Sequence, residues 1–132
     1  MIRPHSDSWL LRIASYALPA LSTATVTLGK HIYTPTGAPP SEATFAHEMV
    51  HVSQWKRYGH LLFALMYACW PLPIGFAYGR WRLEREAYLV EIVSYGRSVE
   101  SCVDALDSSL YWWPWPRLWM ARWFMMRLKE GS

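Results

Sequence analysis

The sequence predicts a mostly helical α+β fold. Three observations carry it: a β-branched, alternating stretch with glycine at its centre, a capped helix soon after it, and further helical segments separated by Pro- and Gly-rich breaks. The 132 residues suit a single domain, 1–132, with a motif-bearing core over about 24–101 and a Trp-rich segment over about 110–129. Apolar residues make up 52% and Asp, Glu, Lys and Arg only 17%, which excludes a disordered or acidic-tail protein. The formal charge of +3 comes without an extended basic run, so no nucleic-acid partner is expected.

Along the chain, Ser6-Asp7-Ser8 offers capping oxygens to a helix from about Trp9 to Leu18, which Pro19 ends. Thr23 to Thr34 is helix-poor and alternates, with Gly29-Lys30 at its middle, and reads as a hairpin of two short strands. Of these, His31 to Thr34 is expected to be an edge strand lining a cleft, able to pair with an extended peptide. Pro35 to Pro40 is a loop by composition. Ser41 caps a helix reaching about Tyr58, and Gly59 is placed to end it.

From Leu61 to Gly79 no residue is charged, yet Pro71, Pro73, Gly75 and Gly79 break the second half. A buried helix of about Leu61 to Cys69 followed by an apolar loop is expected, ahead of re-entrant or interfacial insertion and, last, a membrane span. Helices of about Tyr78 to Cys102 and Arg117 to Lys129 complete the list. Cys69 and Cys102 lie in no CxxC pattern and read as buried thiols. Asp7 and Arg12 interrupt any apolar leader, so a chain retained without cleavage is expected, cytoplasmic or peripheral to a membrane.

His47-Glu48-Met49-Val50-His51 is HExxH, in the middle of the best-defined helix. The i, i+4 spacing puts both imidazoles on one face, about 6 Å apart at Cβ, so both can reach one zinc ion. Glu48, rotated about 100° from His47, can serve as general base to a water without occupying the metal. Ala43, Phe45, Ala46, Met49, Val50, Val52 and Trp55 surround them, which predicts a largely buried helix. A catalytic zinc site takes a third protein ligand, and the candidates lie between Arg82 and Glu91.

HExxHxxQ followed on a later helix by Glu84-Arg85-Glu86-Ala87 resembles the small bacterial metallopeptidase domains of the gluzincin type. Thr27-Leu28-Gly29-Lys30-His31-Ile32-Tyr33-Thr34-Pro35 is similar to the strand pair that precedes their HExxH helix, and the likeness covers about Ala24 to Glu91. The resemblance implies a zincin-like fold, His47 and His51 as zinc ligands and Glu48 as general base. For the third ligand it implies Glu84, which has Ala87 three residues later, with Glu86 as the rival. Where the pattern has Asp, this chain has Tyr88, so a carboxylate partner for a ligating histidine is either absent or supplied elsewhere; Glu91, at i+7 from Glu84, shares its face.

Gln54, at i+7 from His47, can bond a ligand or the chain carrying Glu84; His31 and His60 stand outside the expected ligand set. Tyr88, Tyr95 and Arg80 are unranked oxyanion donors. At the other end Trp112, Trp113, Trp115, Trp119 and Trp123 interleave with Arg117, Arg122, Arg127 and Lys129, a composition suited to a membrane interface, a core or a dimer contact. If the segment is interfacial, Trp119 and Trp123, at i and i+4, are expected to enter one lipid surface together. The leading functional expectation is a zinc metallopeptidase acting on a peptide or protein substrate. The alternatives are a non-catalytic zinc-stabilised membrane or interaction module and a membrane-active effector.

Overall fold

In the computed structural model, residues 2–17, 24–64, 78–107 and 116–131 are described. The apolar stretch 65–77, Cys69, Pro19, Trp112, Trp113 and Trp115 lie outside the described residues. Helices dominate, beside a sheet of three short strands.

Strand β1 (Ile2–Pro4) leads through a 3-10 turn (His5–Asp7) into helix α1 (Trp9–Ala17). Ser8 caps α1: its Oγ accepts from the Leu11 N–H at 3.3 Å. Strands β2 (Val26–Leu28) and β3 (His31–Thr34) form the expected hairpin, with Leu28 opposite His31 and Gly29 at φ 63° in the turn. The sheet order is β1-β3-β2, with β1 parallel to β3 and Ile2 opposite Ile32. Strand β3 is therefore central and not the expected edge. Three residues ending in proline carry too short a pattern to announce a strand, and the pairing that makes β1 one is non-local.

Helix α2 (Glu42–Tyr58) has the predicted caps. Ser41 Oγ accepts from the Thr44 N–H at 3.2 Å, and Gly59, at φ 80°, donates its N–H to the Trp55 carbonyl at 2.9 Å. Its buried residues are His47, Glu48, His51 and Gln54, whereas the apolar side chains around them are only half-buried and Met49 is exposed. The histidines are thus buried as expected, whereas the apolar residues expected to be buried with them are not. The short α3 (His60–Ala64) follows and stacks Phe63 on Trp55 with centroids 4.3 Å apart.

The single helix expected over Tyr78 to Cys102 is two, α4 (Tyr78–Tyr95) and α5 (Val99–Leu106). Gly96 sits at φ 70°, where glycine carries no Cβ penalty, and Ser98 caps α5 by accepting from the Ser101 N–H at 3.1 Å. Helix α6 (Arg117–Gly131) closes the chain. No helix among the described residues is long and apolar enough to cross a membrane.

The core lies where α4, α5 and α6 meet: Trp81, Tyr88, Cys102, Val103, Leu106, Met120 and Phe124. Cys102 is a free, buried thiol, as expected. Phe124 meets Trp81 edge-on at 5.4 Å, and Trp123 meets Trp81 at 5.5 Å with Arg85 and Arg127 over its ring. Trp119, by contrast, is 55% exposed. The two tryptophans expected to enter one lipid surface thus part company, because the roughly 40° between i and i+4 carries Trp123 to the core margin.

Truncating a fully buried aromatic forfeits its transfer free energy and leaves a cavity. Phe124→Ala is expected to lower unfolding stability by about 3–5 kcal/mol, while Trp119→Ser changes it by about 0.5 kcal/mol or less, as read by denaturant unfolding.

Candidate metal centre

Helix geometry sets the frame. On α2, His47, His51 and Gln54 follow at i, i+4 and i+7 and share one face. On α4, Glu84, Tyr88 and Glu91 repeat the same spacing, and the two faces pack together. His47, His51, Glu84 and Glu91 are all buried.

Both imidazoles aim at one oxygen. Glu84 Oε2 lies 3.1 Å from His47 Nε2 and 3.2 Å from His51 Nε2, and the ligand atoms of the three residues all fall within 4.8 Å of one another. On the opposite side of the rings, His51 Nδ1 bonds Gln54 Oε1 at 2.8 Å, while His47 Nδ1 lies 2.7 Å from Glu91 Oε1 in an ion-pair contact that lacks hydrogen-bond alignment. The Gln54 amide orientation follows from its other end, whose Nε2 donates to the Leu83 carbonyl and to Glu86 Oε2, both at 2.9 Å. With Gln54 Oε1 an acceptor, His51 carries its proton on Nδ1, and the neutral ring turns a bare Nε2 toward Glu84. The Nε2 atoms of two imidazoles and a carboxylate oxygen converging in a buried space call for protons or a cation among them. Two imidazoles and a carboxylate are a donor set suited to a metal ion.

The electrostatics show the same competition. Burial works against the charged form of His47, but the hydrogen bond to Glu84, the close contact with Glu91 and the carboxylate charges outweigh it and push its pKa up to about 10. Burial likewise opposes protonation of His51, and the Glu84 charge overcomes it, so its pKa is raised. For Glu84, burial favours the neutral acid, yet the His51 charge and the hydrogen bonds from both rings hold its pKa well below the usual range. Without a metal the cluster holds protons; with one, the metal takes their place.

Glu48 stands apart from this cluster. Thr27 on β2 donates its hydroxyl to Glu48 Oε2 at 2.5 Å, and burial raises the carboxyl pKa ahead of the opposing histidine charges. Around His47, Tyr88 packs edge-on at 4.4 Å, and burial raises its phenol pKa, so it stays a neutral hydroxyl. Glu91 is held in turn by Arg97 Nη1 at 2.7 Å, whose Nε donates to Ser101 Oγ at 3.0 Å.

The structure therefore brings together His47, His51 and Glu84, with Glu48 nearby on its own anchor. Glu86 instead bonds Gln54 and is exposed, outside the donor cluster. Glu91 supplies the carboxylate partner that the Tyr88 position lacks. Gln54 bonds both His51 and the backbone of α4. His60 packs against Trp55 at 5.1 Å, His31 against Tyr33 at 6.4 Å, and neither joins the cluster. Tyr95 is exposed at the end of α4. Thr27 and Arg97 are the residues sequence reasoning missed: one looked like ordinary strand alternation, the other like mid-helix, and no local pattern singles them out. No family model, curated protein or solved structure matches this chain.

Glu84→Ala is expected to weaken metal binding far more than Glu86→Ala in matched chelator titrations, and Glu91→Gln by about 10–100-fold. His47→Ala or His51→Ala should each abolish stoichiometric metal in elemental analysis. The pH dependence has a definite sign. In metal-free protein the raised His47 pKa adds stability that is full below about 6.5 and is lost as pH rises through about 10. The depressed Glu84 pKa adds stability present above about 4.5 and lost as pH falls through its lowered value. Melting curves of metal-free protein should decline between pH 6.5 and 10, while the stabilisation conferred by added metal grows over that interval.

Proposed function

We propose that this chain is a zinc-dependent metallopeptidase, with His47, His51 and Glu84 as the zinc ligands and Glu48 as general base. One observation carries the reading: Glu48 is buried beside the three converging donors but is anchored by Thr27 and belongs to no part of the donor set. Three protein donors among the described residues leave a tetrahedral ion one position short, the arrangement of catalytic rather than structural zinc. A zinc ion held there supplies Lewis acidity toward a substrate carbonyl and an attacking water.

The remaining work falls to the chain's own side chains. Glu48 accepts the proton of the attacking water as the new C–O bond forms, and delivers it to the departing amine as the C–N bond breaks. The Thr27 hydroxyl engages Oε2, which leaves Oε1 to take that proton. Burial raises the Glu48 pKa toward the range where a carboxylate both accepts and returns a proton efficiently. Gln54 bonds the Nδ1 side of His51 and the Glu91 carboxylate lies against the Nδ1 side of His47, while both Nε2 atoms face Glu84. This reading implies a peptide or protein substrate.

The near-complete burial of all four side chains favours a second reading, a non-catalytic module that keeps zinc for stability. Glu48→Gln separates the two. The amide is nearly isosteric and cannot accept the proton. A metallopeptidase carrying it should keep its zinc and melting temperature and lose about 10²–10⁴-fold of its cleavage rate on a permissive peptide mixture. Undiminished cleavage by the variant refutes Glu48 as base; a zinc-loaded, folded wild type that cleaves nothing supports the second reading.

A further inference from the structure

Helix α6 buries one side and presents another. Met120 and Phe124 face the core, whereas Leu118, Trp119, Met125 and Met126 are each 55–66% exposed. At about 100° per residue these four, together with Arg122 and Lys129, fall within an arc of about 120°. Arg122 and Lys129 are exposed too and lie inside that arc, between apolar neighbours. The face carries no acidic residue. Glu130 lies at its margin and is engaged by Arg127 at 3.3 Å, while Arg117 is turned aside onto Asp104 and Asp107 at 2.6 and 2.9 Å. The result is a cationic stripe within an apolar surface on a helix of fifteen residues.

We propose that this face of α6 docks on an anionic lipid surface. The charge pattern selects that occupant. A second copy placed face to face would set Arg122 and Lys129 against their own kind, which is repulsive in a symmetric contact. A lipid headgroup layer instead offers negative charge at the level the two long cations reach, and an acyl boundary just below for the indole, the leucine and the two methionines. Trp119 sits at one edge of the arc, where an indole can lie at headgroup depth. The docking face includes Trp119 and excludes Trp123, whose ring is packed on Trp81. The inference rests on α6 alone and is independent of the metal centre.

Vesicle flotation of the full chain tests it, using phosphatidylcholine vesicles with and without phosphatidylglycerol. Wild type should float with the anionic vesicles only. Arg122→Gln with Lys129→Gln should reduce that binding about thirtyfold, at about 1 kcal/mol for each basic residue near the surface. Trp119→Ser with Met126→Ser should reduce it about tenfold or more, through lost apolar burial. Lys56→Gln with Arg57→Gln, the same charge change on exposed residues at the end of α2, should leave binding unaltered. All these side chains are exposed, and unchanged melting curves identify the folded variants. A wild type that stays in solution with anionic vesicles overturns the proposal, whether it is monomeric, self-associated or bound to an acidic protein. Equal loss in the Lys56/Arg57 control overturns it as well, since net charge alone would then explain the binding.

Discussion

A carboxylate buried to 3% exposure cannot remain ionised without partners, and the demand of Glu84 for two imidazoles organises the seam between α2 and α4. An ordinary helix pair buries leucines and valines along its contact. Here the contact carries His47, His51, Gln54, Glu84 and Glu91, each requiring a partner of defined geometry. A slip of one residue along either helix would turn these groups away from one another and strand charges in the interior. The polar seam therefore fixes the register of α2 on α4, and breaking one member would leave the others uncompensated.

From that seam the constraint spreads outward. His47 needs Glu91, and Glu91 is held by Arg97, which reaches it only because Gly96 turns the chain between α4 and α5. His51 needs Gln54, whose amide is pinned by the Leu83 carbonyl. Tyr88 stands at the boundary, with one edge on His47 and the other in the apolar cluster of Trp81, Val103 and Phe124. The core of α4, α5 and α6 thus backs the candidate metal centre directly, and its packing limits how far His47 and Glu84 can drift. The sheet has a smaller part: it carries Thr27 to Glu48, and β1 covers the side of β3 away from β2.

Much of the site is readable in the chain because its decisive spacings are helical and local. His47, Glu48 and His51 lie within one turn and a half, and their relative directions follow from helix geometry once Ser41 and Gly59 mark the ends. Glu84 and Glu91 are again one local pattern, seven residues apart on a common face. The hairpin around Gly29 and the start of α6 after Pro116 are likewise local events, set by turn and capping chemistry. Local periodicity could not reveal that the apolar residues around the histidines stay half-buried, because hydrophobic patterning assigns burial to the apolar residues.

What the sequence by itself determined was the helical character, the caps, and the identity of the donors that share a helix face. The tertiary structure alone decided which of Glu84 and Glu86 meets the histidines, because two residues apart on a helix point about 200° away from each other and only the placement of α2 says which direction counts. It also decided that β3 is central, that Thr27 answers Glu48, that Arg97 answers Glu91 and that Trp119 and Trp123 separate. Each of these is a pairing between segments distant in sequence. A hydrogen bond or a ring contact across such a distance leaves no period in either segment, so it exists only once the chain has folded.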